Sequence, residues 1–152
     1  MKAVIQRVFS AKVDADGKFS GKCDNGLMIL LGVVKGDDQA QASILARKIA
    51  QLRIFCDDEG KMNRSILDIG GSALVVSNFT LGADTKKGTR PSFDKAMAPD
   101  EANRLYEFFV GELKALGVPV QTGVFGAKMV IDMQCDGPVT IIMDTDTWRN
   151  SN

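Results

Sequence analysis

The chain has 152 residues, 45% of them hydrophobic and 25% charged, and its 19 basic residues are matched by 19 acidic ones. That length supports one domain with a core that needs no disulfide staples, and neutrality excludes a nucleic-acid binder held by its overall field, leaving only a local basic patch. There is no histidine, which removes Ser-His-Asp and Cys-His catalysis and the usual proton shuttle at neutral pH.

The opening MKAVIQRVFSAKV alternates apolar and polar residues and lacks the apolar core of a signal peptide. No run approaches the ~18 apolar residues of a membrane span, so a cytoplasmic protein is expected. Residues 2 to 33 read as a β-meander, with a turn at Asp16-Gly17 and a buried strand, GLMILLGVV, after Asn25-Gly26. A helix is predicted from about Asp38 to Phe55, with Leu45, Ile49 and Leu52 as its apolar stripe and Arg47, Lys48 and Gln51 facing water. CDDEGKMNRSILDIGGS is loop-like, with turns at Glu59-Gly60 and Gly70-Gly71. The cysteines Cys23, Cys56 and Cys135 are odd in number, far apart and without zinc-type spacing. They are expected to be free thiols, and no metal or other cofactor is expected.

ALVVSNFTL is a strand whose apolar first half gives way to Ser77, Asn78 and Thr80. Alternation puts Asn78 and Thr80 on the face of Leu74 and Val76, and Ser77 and Phe79 on the other. Two readings fit: a strand leaving the core, or a strand end offering hydroxyls and backbone N–H groups to a pocket rim. Thr80 as a nucleophile has no histidine or lysine partner adjoining it in sequence. The polar segment 82 to 98 brings Lys86, Lys87 and Arg90 together in DTKKGTRPSF. This is a solvated loop, or a receiver for phosphates if the preceding strand opens onto a pocket; its glycine spacing is not that of a P-loop.

A second helix begins near Pro99, a residue suited to a first turn, with Asp100 and Glu101 favourable to the dipole. Leu105, Phe109, Leu113 and Leu116 make its buried stripe, and Gly117 ends it. VPVQTGVF, AKMVIDMQC and VTIIMDT return to β structure. Phe125, set between glycines in TGVFGAKM, is a core anchor or a ring on which a nucleobase stacks, worth about 1–3 kcal/mol per base. MQCDGPVTIIMD reads as two strands interrupted by Gly137-Pro138. A proline there belongs at an edge, a bulge or a turn, and the ordinary form is a trans hairpin turn. The end, DTWRNSN, is polar and expected to fray, giving one domain over residues 1–147 and a tail over 148–152. Strands at both ends with two helices between them predict a mixed α/β sandwich: two helices on one sheet, a second β layer on its other side. Strict βαβ alternation is missing, which argues against a doubly wound fold.

MKAVIQRV, LGVVKGD, LRIF, GKMN, VVSNFTLGADTKKGTRPSF, LGVPVQTGVFGAKM and DGPVTIIMD occur in that order over nearly the whole chain. Together they resemble the D-aminoacyl-tRNA deacylases. The resemblance implies an α/β fold of two helices and a double β layer, assembled as a homodimer. It implies a pocket built by Ser77, Asn78, Phe79 and Thr80, in place of the family's S-Q-F-T, into which the partner subunit inserts Gly137-Pro138 with a cis bond. The implied reaction is hydrolysis of the ester joining a D-amino acid to the 3′ end of tRNA, extending to glycine mischarged on the tRNA for alanine. The carbonyls of Gly137 and Pro138 would hold the α-ammonium and block the L side chain. The RNA's own 2′-hydroxyl would carry much of the chemistry, and N–H groups around Phe79 and Thr80 would receive the oxyanion. Phe125 is implied to stack the terminal adenine, Lys86, Lys87 and Arg90 to approach phosphates, and Arg7 to brace the Gly-Pro element. No cofactor, metal or membrane is implied. The chain departs from the family at Asn78, usually glutamine, and at Cys135, usually asparagine; a modest change of rate with retained chirality is expected. Two rival readings are a non-catalytic dimer that binds aminoacyl-tRNA or free D-amino acids, and a conventional esterase with Thr80 as nucleophile.

Overall fold

In the computed structural model, residues 1–149 are described; the part of the predicted tail at 150–152 lies outside the described residues. In chain order the elements are β1 (Lys2–Ala15), β2 (Lys18–Cys23), β3 (Gly26–Gly32), α1 (Gln39–Ala50), β4 (Phe55–Cys56), β5 (Met62–Arg64), β6 (Ser72–Ser77), α2 (Pro99–Ala115), β7 (Val120–Thr122), β8 (Met129–Asp144) and α3 (Asp146–Arg149).

The long strand β1 organises the sheet. Its first half pairs antiparallel with β3, from Lys2–Gly32 to Val8–Gly26, and its second half with β2, from Ala11–Cys23 to Ala15–Lys18. Strand β8 runs antiparallel along both halves, from Lys2–Asp144 to Ala15–Met129. Beyond β3 the sheet continues through parallel pairing with β6 and then β7.

Period-two alternation gives this sheet two apolar faces. Ala3, Ile5, Leu27, Ile29, Leu31, Ala73 and Val75 point to the helices, where Leu45 and Ile49 of α1 and Phe109 and Leu113 of α2 complete one core. Each fully buried leucine, isoleucine, valine or phenylalanine among them contributes about 1.5–3 kcal/mol over leaving it exposed. The opposite face carries Val8, Val13, Cys23, Met28, Leu74 and Val76, closed over by Met129 and Ile131. The expected mixed α/β domain is present, but its second β layer is not a separate sheet. The same sheet curls until β2 meets β7: the Ser20 hydroxyl donates to the Thr122 carbonyl at 2.8 Å. Gly21 lies so close that a Cβ there would sit 2.6 Å from that carbonyl oxygen.

Asp38 starts α1 with a reciprocal capping box, its carboxylate accepting from Gln41 N–H while the Gln41 side chain accepts from Asp38 N–H. The helix stops at Ala50, short of the predicted Phe55, because Phe55 turns into the β4–β5 hairpin, which occupies a segment expected to be loop. Helix α2 begins with Pro99 in its first turn as expected. Its buried face runs through Tyr106, Phe109 and Leu113, while Leu116 is exposed. The polar end does not fray where described: α3 brings Trp148 against the helix-side core, with the Lys48 ammonium 4.8 Å above its ring.

Candidate active site

Strand β6 ends at Ser77, and the chain tightens into a 3-10 turn, Phe79–Gly82. The alternation expected to run through Thr80 therefore stops at Ser77, because Asn78 acts as an N-cap. Its side-chain oxygen accepts from the Thr80 N–H at 3.2 Å and also from the Thr80 hydroxyl. The Asn78 N–H donates to the Leu31 carbonyl at 2.8 Å, and Leu81 N–H to the Asn78 carbonyl at 3.3 Å. The turn can lie this close to β3 because residue 32 is glycine: a Cβ there would stand 2.8 Å from Leu81 Cβ and 3.0 Å from the Asn78 carbonyl oxygen. Phe79, 59% exposed, meets the ring of Phe93 edge-on with centroids 5.2 Å apart. Its own N–H has no hydrogen-bond partner among the described residues.

This turn forms one wall of a cavity of about 630 Å³, shared with Phe93, Tyr106 of α2, Phe125 and the Met129–Ile131 end of β8. Ser77, Asn78, Phe79 and Phe125, four of the residues singled out from sequence, are thus brought together, while Thr80 sits just outside the wall. Phe125 is half-buried, its ring centroid 6.0 Å from that of Tyr106. Tyr106 donates from its phenol to the Val75 carbonyl at 2.7 Å, and burial pushes that phenol up to about 12. Among the described residues no carboxylate, amine, guanidinium or thiol lines the cavity. Phe93 and Tyr106 escape a reading of the sequence alone. The signal for Tyr106 is present, three positions before Phe109 on the buried face of α2.

Lys86, Lys87 and Arg90 stand exposed on the segment that follows the turn, outside the cavity wall. The segment is pinched at its neck, where Asp84 and Ser92 exchange backbone hydrogen bonds of 2.8 and 2.9 Å. Asp84 also accepts from the Lys86 N–H at 3.0 Å and pairs with Lys95 at 3.1 Å, which together hold its carboxyl below the usual carboxylate range.

Gly137-Pro138 is not a turn between two hairpin strands. Both flanks belong to β8 and both pair with β1. Between the pairs Gln6–Thr140 and Val8–Cys135, β1 advances two residues and β8 advances five, so three extra residues bulge outward opposite Arg7. The peptide bond is cis. Both residues are exposed, and neither lines the cavity of its own chain. Arg7 is 9% exposed beneath the bulge. Its Nε lies 3.2 Å from both the carbonyl and the carboxylate of Asp136, and one terminal nitrogen donates to the Ile54 carbonyl at 2.8 Å.

Comparison with known proteins accords with this architecture. Residues 4–144 match the family model described as D-Tyr-tRNA(Tyr) deacylase. A D-aminoacyl-tRNA deacylase of Ruegeria pomeroyi is 57% identical over 144 residues, covering 95% of this chain and 99% of that protein. Another, of Roseiflexus castenholzii, is 56% identical over 149 residues, covering 98% and 95%. A solved structure described as a c-Myc DNA unwinding element binding protein superposes with a TM-score of 0.89 at 38% identity, covering 95% and 98% of the two chains. A probable eukaryotic D-amino acid tRNA deacylase shares the fold, with a TM-score of 0.79 at 16% identity. Fold, cavity and relatives together define an enzyme of the class that hydrolyses aminoacyl esters of tRNA. The chain belongs to the D-Tyr-tRNA(Tyr) deacylase family.

Proposed function

We propose that the protein removes D-amino acids from tRNA through a composite site, in which each cavity is completed by the Gly137-Pro138 bulge of a second copy. The observation that carries this reading is the separation of the two parts. The bulge is exposed, braced from below by Arg7, and absent from the cavity wall of its own chain. The face of β1 and β8 turned away from the helices supports the pairing of two copies, since Ile142, 76% exposed, pairs there with Val4. Such a homodimer would work in the cytoplasm, on the 3′ end of aminoacyl-tRNA.

The chemistry follows from what the cavity lacks. With no carboxylate, amine, guanidinium or thiol among the described residues of its wall, and the Tyr106 phenol committed to the Val75 carbonyl, the proton traffic of ester hydrolysis falls to the substrate, whose ribose 2′-hydroxyl adjoins the ester. The protein supplies alignment and a donor for the developing oxyanion, the unpartnered Phe79 N–H. The carbonyls of Gly137 and Pro138 would hold the α-ammonium by charge-assisted hydrogen bonds and occupy the direction taken by an L side chain. Because the filter reads direction and not identity, many D-residues would pass, and glycine, including glycine mischarged on the tRNA for alanine, would pass with them. Phe125 would stack the terminal adenine, with Lys86, Lys87 and Arg90 near the phosphates.

The test uses D-Tyr-tRNA and L-Tyr-tRNA, each with a terminal ribose or a terminal 2′-deoxyribose. Rapid release of D-Tyr alone, abolished by the deoxy substitution, is expected. Equal release of both enantiomers, or an acyl group trapped on Thr80, would overturn the reading. Binding of D-Tyr-tRNA without release would favour a non-catalytic binder. Sedimentation should give twice the chain mass; a monomer at full activity would remove the composite site.

A further inference from the structure

We propose that Asn78 is a positioning residue, whose side chain works through Thr80 and leaves the substrate to the backbone of the turn. The inference rests on the reading that residues 77–80 form the catalytic turn. Asn78 has extended backbone angles, φ −146° and ψ 91°, and stands at the junction of β6 and the 3-10 turn. From that position its side-chain oxygen reaches the N–H two residues on, the geometry of an Asx turn. The same oxygen receives the Thr80 hydroxyl. Which end of the amide points to Thr80 is fixed by chemistry: the backbone N–H of Thr80 is a donor, so the atom facing it is the oxygen.

An amide oxygen has two lone pairs, and here both are taken by Thr80. It retains no capacity to accept from a substrate ammonium or ribose hydroxyl. Thr80 is tied down in turn. Its N–H is committed, and its hydroxyl donates to an amide oxygen, which is no base and cannot take the proton. The hydroxyl is therefore not primed for nucleophilic attack. The Phe79 N–H is left as the uncommitted donor of the turn, and the cap is what orders the backbone presenting it. A glutamine at this position carries one more methylene and cannot close the same two-residue ring. The shorter side chain of this protein thus exchanges whatever a glutamine would reach for a local lock.

The experiment combines amide exchange, read by NMR on the folded protein, with steady-state hydrolysis of D-Tyr-tRNA by Asn78→Ala, Asn78→Ser and Asn78→Gln. A lost N-cap of ordinary strength should speed Thr80 amide exchange roughly fivefold in Asn78→Ala and Asn78→Gln, with serine, an equally good cap, restoring it. In Asn78→Ala, kcat should fall about tenfold with KM held within about twofold, and Asn78→Ser should recover most of kcat. Unchanged Thr80 exchange in Asn78→Ala overturns the proposal, as does a loss confined to KM, or a serine variant with normal exchange and no recovery of kcat. Exchange is read without substrate, so failure of the wild-type protein to release D-Tyr would sink the functional reading while leaving the cap decided on its own measurement.

Discussion

Arg7 and Asp136 are joined at three points: the guanidinium Nε lies 3.2 Å from both the carbonyl oxygen and one carboxylate oxygen of the residue that opens the bulge, and a terminal nitrogen donates to the other carboxylate oxygen at 3.4 Å. The pairing spans 129 positions of sequence and anchors the protrusion to the strand beneath it. Arginine suits this role because its planar fork meets a carboxylate and two backbone carbonyls at once. Arg7→Lys keeps the charge and loses the fork. It should cost about 2 kcal/mol, in the range for hydrogen bonds to charged groups, and blunt the preference for D over L substrates. Urea unfolding and paired hydrolysis of D-Tyr-tRNA and L-Tyr-tRNA check both; unchanged selectivity would deny Arg7 its bracing role.

Gly32 offers a test at the other side of the site. An alanine Cβ there would press on Leu81 Cβ at 2.8 Å and on the Asn78 carbonyl at 3.0 Å, closer than such atoms pack. Gly32→Ala should lift the turn off β3, destabilise by about 1–3 kcal/mol as overpacking does, and lower kcat. Pairing it with Leu81→Gly, which removes the nearer atom, should recover part of the loss in the same two assays.

The exposed cations after the turn should act on affinity and not on chemistry. Replacing Lys86, Lys87 and Arg90 by alanine should raise KM for aminoacyl-tRNA several-fold and leave kcat near normal. The log–log salt dependence of binding should become shallower by about 0.7 for each phosphate of the single-stranded end that is no longer neutralised. A fall in kcat with an unchanged salt slope would remove these residues from the RNA interface.

Alkaline stability should carry the signature of two buried acids. Burial pushes the Cys23 thiol from 9.0 up to about 11, and the Tyr106 phenol from 10.0 up to about 12. The folded state holds these protons more tightly than the unfolded chain does, so their contribution is complete below pH 9 and drains away as pH climbs from about 9 to about 12. The urea midpoint, followed from pH 7 upward, should be level and then fall, and Cys23→Ala should remove the earlier part of the fall. A thiol reagent should titrate the exposed Cys56 and Cys135 in the native protein and reach Cys23 only after unfolding.

Local signals carried much of the architecture. The start of α1 at Asp38, the first-turn Pro99 and the alternation of β1 are written in neighbouring residues, and these features stand where the sequence put them, although α1 ends at Ala50 and not at Phe55. The failures share another cause. MQCDGPVTIIMD reads as two strands because the partner that holds both halves together, β1, lies more than a hundred residues away. The end of β6 is hidden although Asn78 is among the best N-cap residues, because the apolar period of ALVVSNFTL runs past it. Ser77, Asn78 and Phe79, expected in one pocket, line one cavity and are joined there by Phe125, while Thr80, expected with them, is not in the wall. Phe93, an aromatic ring in a polar segment, gives no such warning, and the spacing of Tyr106 from Phe109 signals only a place on the buried face of α2, not a place in the cavity.

The bulge in β8 has a bearing on how this protein can change. Its two flanks are clamped to β1 independently, so a residue gained or lost at 136–139 would alter how far the loop projects without turning any buried side chain of β8 to the wrong face. Reach can thus drift while the strand pairs on either side stay put, and the protruding tip becomes an adjustable fitting on a fixed mount.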